Sequence, residues 1–156
     1  MALQISSRLR IEGNAAVLDA HYKRFDNCGV PASVGGGSMD CSGKDLVLAP
    51  HFSAYGAVTY EVPVAFGTIF TRADMDYRST VYFEPTNSDG FKSGPRTLAN
   101  LRLGLRRDKW EVAAWVKNLT DKIYKTYADD RSGLGVFRTA AYGAPRTYGI
   151  SLSSTF

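Results

Sequence analysis

The feature that most constrains this chain is a hydrophobic period of two that recurs along nearly its whole length. Segments 3–11, 15–25, 51–62, 67–83, 97–106, 110–117 and 146–156 each place apolar side chains at alternate positions. Alternation marks a strand with two unlike faces. In 51–62 one face carries Phe52, Ala54, Gly56, Val58, Tyr60 and Val62, against His51, Ser53, Tyr55, Thr59 and Glu61. In 97–106 Ala99, Leu101, Leu103 and Leu105 oppose Asn100, Arg102 and Arg106, and in 110–117 Trp110, Val112, Ala114 and Val116 oppose Glu111 and Lys117. The last segment, "RTYGISLSSTF", sets Tyr148, Ile150, Leu152 and Phe156 against Thr147, Gly149, Ser151, Ser153 and Thr155. No helical period of useful length intervenes. The pattern predicts an all-β chain of about seven antiparallel strands in an up-and-down meander.

The connections narrow the choice. They alternate short and long: "GN" at 13–14, a turn holding Pro63 and "RRDK" are short, whereas stretches near 26–49, 84–95 and 128–144 are long. A soluble sandwich or lipocalin has no reason to sort its loops in this way. A transmembrane β-barrel does, with tight turns on one side of the membrane and long loops on the other. Segments such as 51–62 and 67–83 meet the ~9–11 residues a spanning strand needs. The polar face of 67–83 presents Arg72, Asp74, Asp76 and Arg78 in series. In a small dry core each unpaired ion would cost several kcal/mol, whereas a wet lumen tolerates them. Aromatic residues gather toward the strand ends, with Tyr60, Trp110 and Phe156 at one and Tyr22, Tyr77 and Phe83 near the other. Two such girdles suit the two interfaces of a bilayer. The competing reading is a non-transport small β-barrel or a soluble β-sandwich binding module, with the charged face solvated outside.

Composition removes other classes. No run approaches ~18 consecutive apolar residues, so no helix crosses a membrane. The net charge of +4 comes from 19 basic and 15 acidic residues that are interleaved, which argues against a nucleic-acid partner. There is no nucleophile–base–acid set, and "GGGSMDCSG" lacks the strand-to-helix setting of a phosphate loop. The chain is read as a non-enzyme without a cofactor.

Cys28 and Cys41 flank a Gly/Ser-rich loop without period, and no C-x2–4-C spacing supports zinc. They are expected to form a disulfide in an oxidising compartment. Yet "MALQISSRLRIEG" lacks the basic region and apolar core of a signal peptide. The two observations are reconciled if the natural N-terminus lies upstream. If 15–25 and 51–62 pair across the cysteine loop, His21 and His51 both face inward at the rim. With Arg72 and Arg78 they form the candidate ligand-binding set, and no metal site is assigned.

"WEVAAWVKNLTDKIYKTY" (110–127) with "GAPRTYGISLSSTF" (143–156) resembles the end of a TonB-dependent outer-membrane receptor. "LAPHFSAYGAVTYEVP" (48–63) resembles an earlier hairpin of that family. The resemblance implies a plugged barrel of roughly 22 strands. It implies a bacterial outer-membrane location and import of a scarce ligand (siderophore, cobalamin, carbohydrate or similar), driven by a TonB-type energy-coupling protein acting through the plug. On that reading residues 1–156 are the C-terminal part of the barrel alone, without a plug domain. Their partners are membrane lipid, the missing N-terminal strands and plug, and the barrel-assembly machinery. The terminal strand then serves as an assembly signal, with Phe156 as its anchor and Tyr148, Ile150 and Leu152 as alternating contacts.

Overall fold

The structure, a computed structural model, describes residues 1–134 and 138–155. Its body is one antiparallel sheet of seven strands: β1 (Ala2–Gln4), β2 (Leu9–Val17), β3 (Phe52–Val64), β4 (Gly67–Arg78), β5 (Arg96–Arg107), β6 (Trp110–Lys117) and β7 (Thr147–Ser154). Among the described residues each of these strands pairs only with its neighbours in the chain, which is the meander expected. A β-sandwich would pack two sheets face to face, and here all seven strands share one. The connections 5–8, 65–66 and 108–109 lie at one end, and the long loops 18–51, 79–95 and 118–146 lie at the other.

Residues directly opposite in an antiparallel ladder share a face. The register therefore traces rows across the sheet. One row runs Leu3, Ile11, Val58, Ala73, Leu101, Val116, Tyr148, and the next runs Leu9, Tyr60, Thr71, Leu103, Ala114, Ile150. The opposite face carries the row Gln4, Arg10, Thr59, Arg72, Arg102, Trp115, Gly149. Burial is inverted relative to a water-soluble sheet. Leu103 is 52% exposed and Ile150 79%, while the side chains of Glu12 and Glu111 are only 23% and 22% exposed. A contiguous apolar face of this extent needs an apolar surrounding.

The polar wall is held by ion pairs that cross strands. Arg72 reaches Glu12 on β2 at 2.7 Å and donates to Thr59 Oγ1 and Tyr55 Oη on β3, each at 3.0 Å. Arg102 meets Glu111 at 2.7 Å, and Arg106 joins Glu111 at 3.1 Å to Glu61 at 3.3 Å. Phe70 is buried beneath this second cluster, with the Arg102 and Arg106 guanidinium groups 5.9 Å and 5.1 Å from its ring. Gly104 makes the room: a Cβ there would stand 2.5 Å from the Phe70 ring and 2.7 Å from the Val112 carbonyl oxygen. Gly149 lies likewise under Trp115.

Two sequence expectations change. Gly13-Asn14 is not a turn but the interior of β2, with Gly13 opposite Gly56. The turn lies at 5–8, where the Ser6 hydroxyl accepts from the Arg8 and Leu9 N–H groups. A tight hairpin favours Asn before Gly, and here the order is reversed while odd-numbered alternation runs on through Ala15 and Val17. The parity assigned to 15–25 accordingly slips. Ala16 falls on the polar face opposite Ser53, and Leu18, Ala20 and Tyr22 belong to the loop. Likewise β4 ends at Arg78. Val81 is buried in a small ribbon, Val81–Tyr82 against Lys92–Ser93, and with Phe83 leaves the outward face.

Candidate functional site

The long-loop end carries the groups that strand packing does not consume. The first loop, Gly/Ser-rich and without period in the sequence, is an ordered double limb. Leu46 N–H donates to Ala20 O at 3.0 Å, Tyr22 N–H to Lys44 O at 3.0 Å, and Cys41 N–H to Phe25 O at 2.9 Å. Above these rungs Cys28 and Cys41 form a buried disulfide, and Cys28–Gly29 pairs with Ser38–Met39. The tip turns through Gly35, Gly36 and Gly37, with φ of 126°, 69° and 83°. Only glycine adopts such a run without steric cost. The composition that reads as floppy thus supplies the turn of a hairpin.

His21 and His51 meet at the base of this loop, their ring centroids 5.7 Å apart. Both imidazoles contact one carboxylate oxygen, Asp45 Oδ1, at 3.2 Å from His21 Nδ1 and 3.0 Å from His51 Nε2. The other ring nitrogen of His21 pairs with Asp19. Among the described residues no group of three His, Cys, Asp or Glu side chains is placed to hold a metal ion. The cluster is a hydrogen-bonded clasp between the two limbs.

The three loops interlock. Asp45 N–H donates to Asn87 Oδ1 at 2.9 Å, and Asn87 Nδ2 returns to Asp45 O at 3.1 Å, tying the first loop to the second. Ser33 N–H donates to Asp130 Oδ2 at 3.0 Å, while Arg138 Nε and Nη2 donate to Ser33 Oγ and O, tying the first to the third. The second and third meet where Lys125 Nζ donates to Gly90 O at 3.1 Å and Arg138 lies 5.5 Å from the ring of buried Phe91. The Ser132 hydroxyl and the Ser33 amide hold the Asp130 carboxyl down at about 2, because both bonds favour the charged form. At the base of the third loop Asn118 is buried, with φ of 51°. Its amide accepts from Lys122 N–H at 2.9 Å and donates to Ala144 O at 3.0 Å, closing the two limbs of 118–146. This places the first residue of "NLTDK" in a structural role.

The four candidate ligand residues part company. His21 and His51 stand together at the rim. Arg78 tops the polar wall and lines a cavity of about 120 Å³ under the loops. Arg72 lies lower, its guanidinium engaged by Glu12, Thr59 and Tyr55. Sequence reasoning missed Asp45, Asn87, Arg96, Lys125 and Arg138, whose partners are distant in the chain. On β7 Tyr148, Ile150 and Leu152 project from the apolar face, strongly exposed. Phe156 lies outside the described residues.

No family model matches the chain. Its structure is similar over 99% of its length to the ferric yersiniabactin uptake receptor FyuA from Yersinia pestis, with a TM-score of 0.77 and 19% identity, and it covers 22% of that chain. It is similar over 97% to the siderophore receptor PiuA from Acinetobacter baumannii, with a TM-score of 0.70 and 16% identity, covering 20% of that chain. It is similar over 96% to BauA, the ferric preacinetobactin receptor of the same organism, with a TM-score of 0.68 and 24% identity, covering 20%. The chain thus spans about a fifth of the length of these receptors and has the fold of part of their barrel.

Proposed function

We propose that residues 1–156 are the C-terminal barrel segment of a TonB-dependent receptor in the bacterial outer membrane. The complete barrel, of roughly 22 strands, would bind a scarce ligand such as a siderophore, cobalamin or a carbohydrate. A TonB-type protein acting through a plug outside these residues would drive import. One observation carries the reading: the sheet turns its apolar face outward and half-buries its charged face, with all long loops at one end. That inversion suits a lipid-facing wall around a polar lumen. The likeness to three siderophore receptors along nearly the whole chain supports it. The ligand would meet the interlocked loops first and the top of the polar wall beneath them. The terminal strand would serve the assembly machinery, since an exposed edge recruits partners through backbone hydrogen bonds. Tyr148, Ile150, Leu152 and Phe156 are the side chains assigned to that contact.

The test is uptake of radiolabelled ferric chelates by cells with and without the gene, together with membrane fractionation. The expected result is an outer-membrane protein whose deletion, or loss of the energy-coupling protein, abolishes uptake of one chelate class. A soluble protein, or uptake indifferent to both losses across chelates, cobalamin and carbohydrates, refutes the reading.

A further inference from the structure

Lower on the polar wall each arginine named above is ion-paired to a carboxylate, even where Arg72 stands opposite Arg102. Arg10 and Arg72 meet Glu12, and Arg102 and Arg106 meet Glu111. The top of the wall breaks this rule. Arg78 on β4 stands directly opposite Arg96 on β5, and the third loop brings Lys125 to the same cavity. Like charges facing each other across a ladder are destabilising. Among the described residues no Asp or Glu lines the cavity. Asp76 is one step below on the same face, opposite Leu98, and makes no ion pair with either arginine among the described residues.

The three cations are presented with donors to spare. The Arg96 guanidinium lies over the Tyr124 ring at 4.1 Å, which fixes its plane, and among the described residues its N–H edge has no hydrogen-bond partner. Lys125 uses one of three ammonium donors on Gly90 O. Arg78 has no side-chain hydrogen-bond partner among the described residues. The walls come from all three loops, with Leu48 from the first, Val81 and Phe83 from the second and Lys125 from the third. Ser79, Ser93 and Thr126 also line the cavity, and a cleft that holds unmatched positive charge focuses anions into itself.

We infer that this cavity is an oxyanion-binding site for a soluble anionic ligand bearing carboxylate or phosphate groups. The inference rests on the receptor reading and narrows its ligand to anionic molecules. The site opens on the polar face, away from the apolar face that would meet lipid headgroups. An oxyanion would bridge Arg78 and Arg96, turning a repulsive pair into a clamp, with Lys125 closing the third side.

The test uses the complete receptor in a neutral, lipid-free detergent, titrated calorimetrically with citrate and inorganic pyrophosphate, and with spermidine as the opposite-charge control. Both anions bind, more weakly as salt rises, and spermidine does not. Arg96→Gln and Lys125→Gln each weaken anion binding by roughly tenfold or more. Arg78→Lys retains most of it. Arg96→Glu abolishes it and raises the melting temperature, because an ion pair replaces the like-charged one. Lys125 sits at the base of a loop, so its variant tests the site without disturbing the sheet. Failure of the wild-type protein to bind either anion overturns the inference. So does unchanged affinity in Lys125→Gln, or a melting temperature lowered by Arg96→Glu. Outer-membrane protein without anion binding fails this inference alone, whereas a soluble protein fails the receptor reading.

Discussion

Replacing Leu103 by arginine probes the outward face near its middle. Leu103 pairs with Ala114, and the aromatic rim of the same hairpin is the pair Trp110–Arg107. Four residues separate the two rows. At about 3.4 Å per residue and a tilt near 45°, Leu103 stands about 10 Å above the rim. The apolar band of such a barrel is about 25 Å tall, so this is within a few ångströms of its midplane, where arginine costs about 2–4 kcal/mol. Leu152, in the row of Val112 and Leu105, is about 5 Å above the rim and should cost less. Parity alone offers Asn100 as an inward control, but its amide is engaged, donating to Asp74 at 2.7 Å and accepting from Asn118 N–H at 3.0 Å. Ser151, on the polar face opposite Ala113, is the better choice and should tolerate arginine within about 0.5 kcal/mol. The assay is urea unfolding of the complete barrel from lipid vesicles, followed by tryptophan fluorescence and gel mobility. Equal costs at Leu103 and Ser151 would refute the assignment of faces.

Serine at both Cys28 and Cys41 should remove about 3 kcal/mol from the ordering of the first loop on a chain-entropy basis. Protease cleavage near Gly35–Gly37 should then quicken while the barrel melting temperature holds; a matching fall in that temperature would count against the loop-confined role. The depressed Asp130 carboxyl contributes its loop contact fully above the ordinary carboxylate range near 4 and loses it as pH falls through about 2. Pepsin should therefore spare the 130–134 junction of the wild type until about pH 2 and cut Asp130→Asn throughout, and identical profiles would dismiss the contact. Gly104→Ala should cost about 1–3 kcal/mol, more than Gly149→Ala, because a backbone oxygen at 2.7 Å joins the ring it meets. Deleting Phe156 should slow insertion of the full-length receptor far more than it destabilises inserted barrel; a lowered melting temperature with normal insertion would leave it a rim-packing residue.

How much of this was legible follows from the range over which each signal acts. The faces of 51–62, 97–106 and 110–117 were readable because a period of two is local. The GN signal failed because a turn dipeptide is weak evidence when alternation continues through it. Val81 and Phe83 kept the parity of β4, but nothing nearby announces that the strand stops at Arg78 and the chain folds into its own ribbon. The meeting of His21 and His51 could be stated only conditionally, since it needs β2 and β3 to pair across the first loop. Arg72 and Arg78 look alike in the sequence. Both face an arginine on β5, Arg102 and Arg96, and what separates them is Glu12, which β2 supplies to Arg72. A cavity assembled from three loops and two strands has no linear signature.

Among the described residues each of the seven strands is bonded only to its neighbours in sequence order, so the wall is a string of hairpins, tied to one another by ion pairs such as Arg72–Glu12 and Arg106–Glu61. Duplicating one hairpin would widen the sheet by two strands and keep the pairing within each existing hairpin, with tilt and stagger adjusting wherever the sheet closes into a barrel. The same event adds one more long loop at the end where 18–51, 79–95 and 118–146 already lie. In such an architecture the width of the wall and the area of its loop end enlarge together, in a single genetic step.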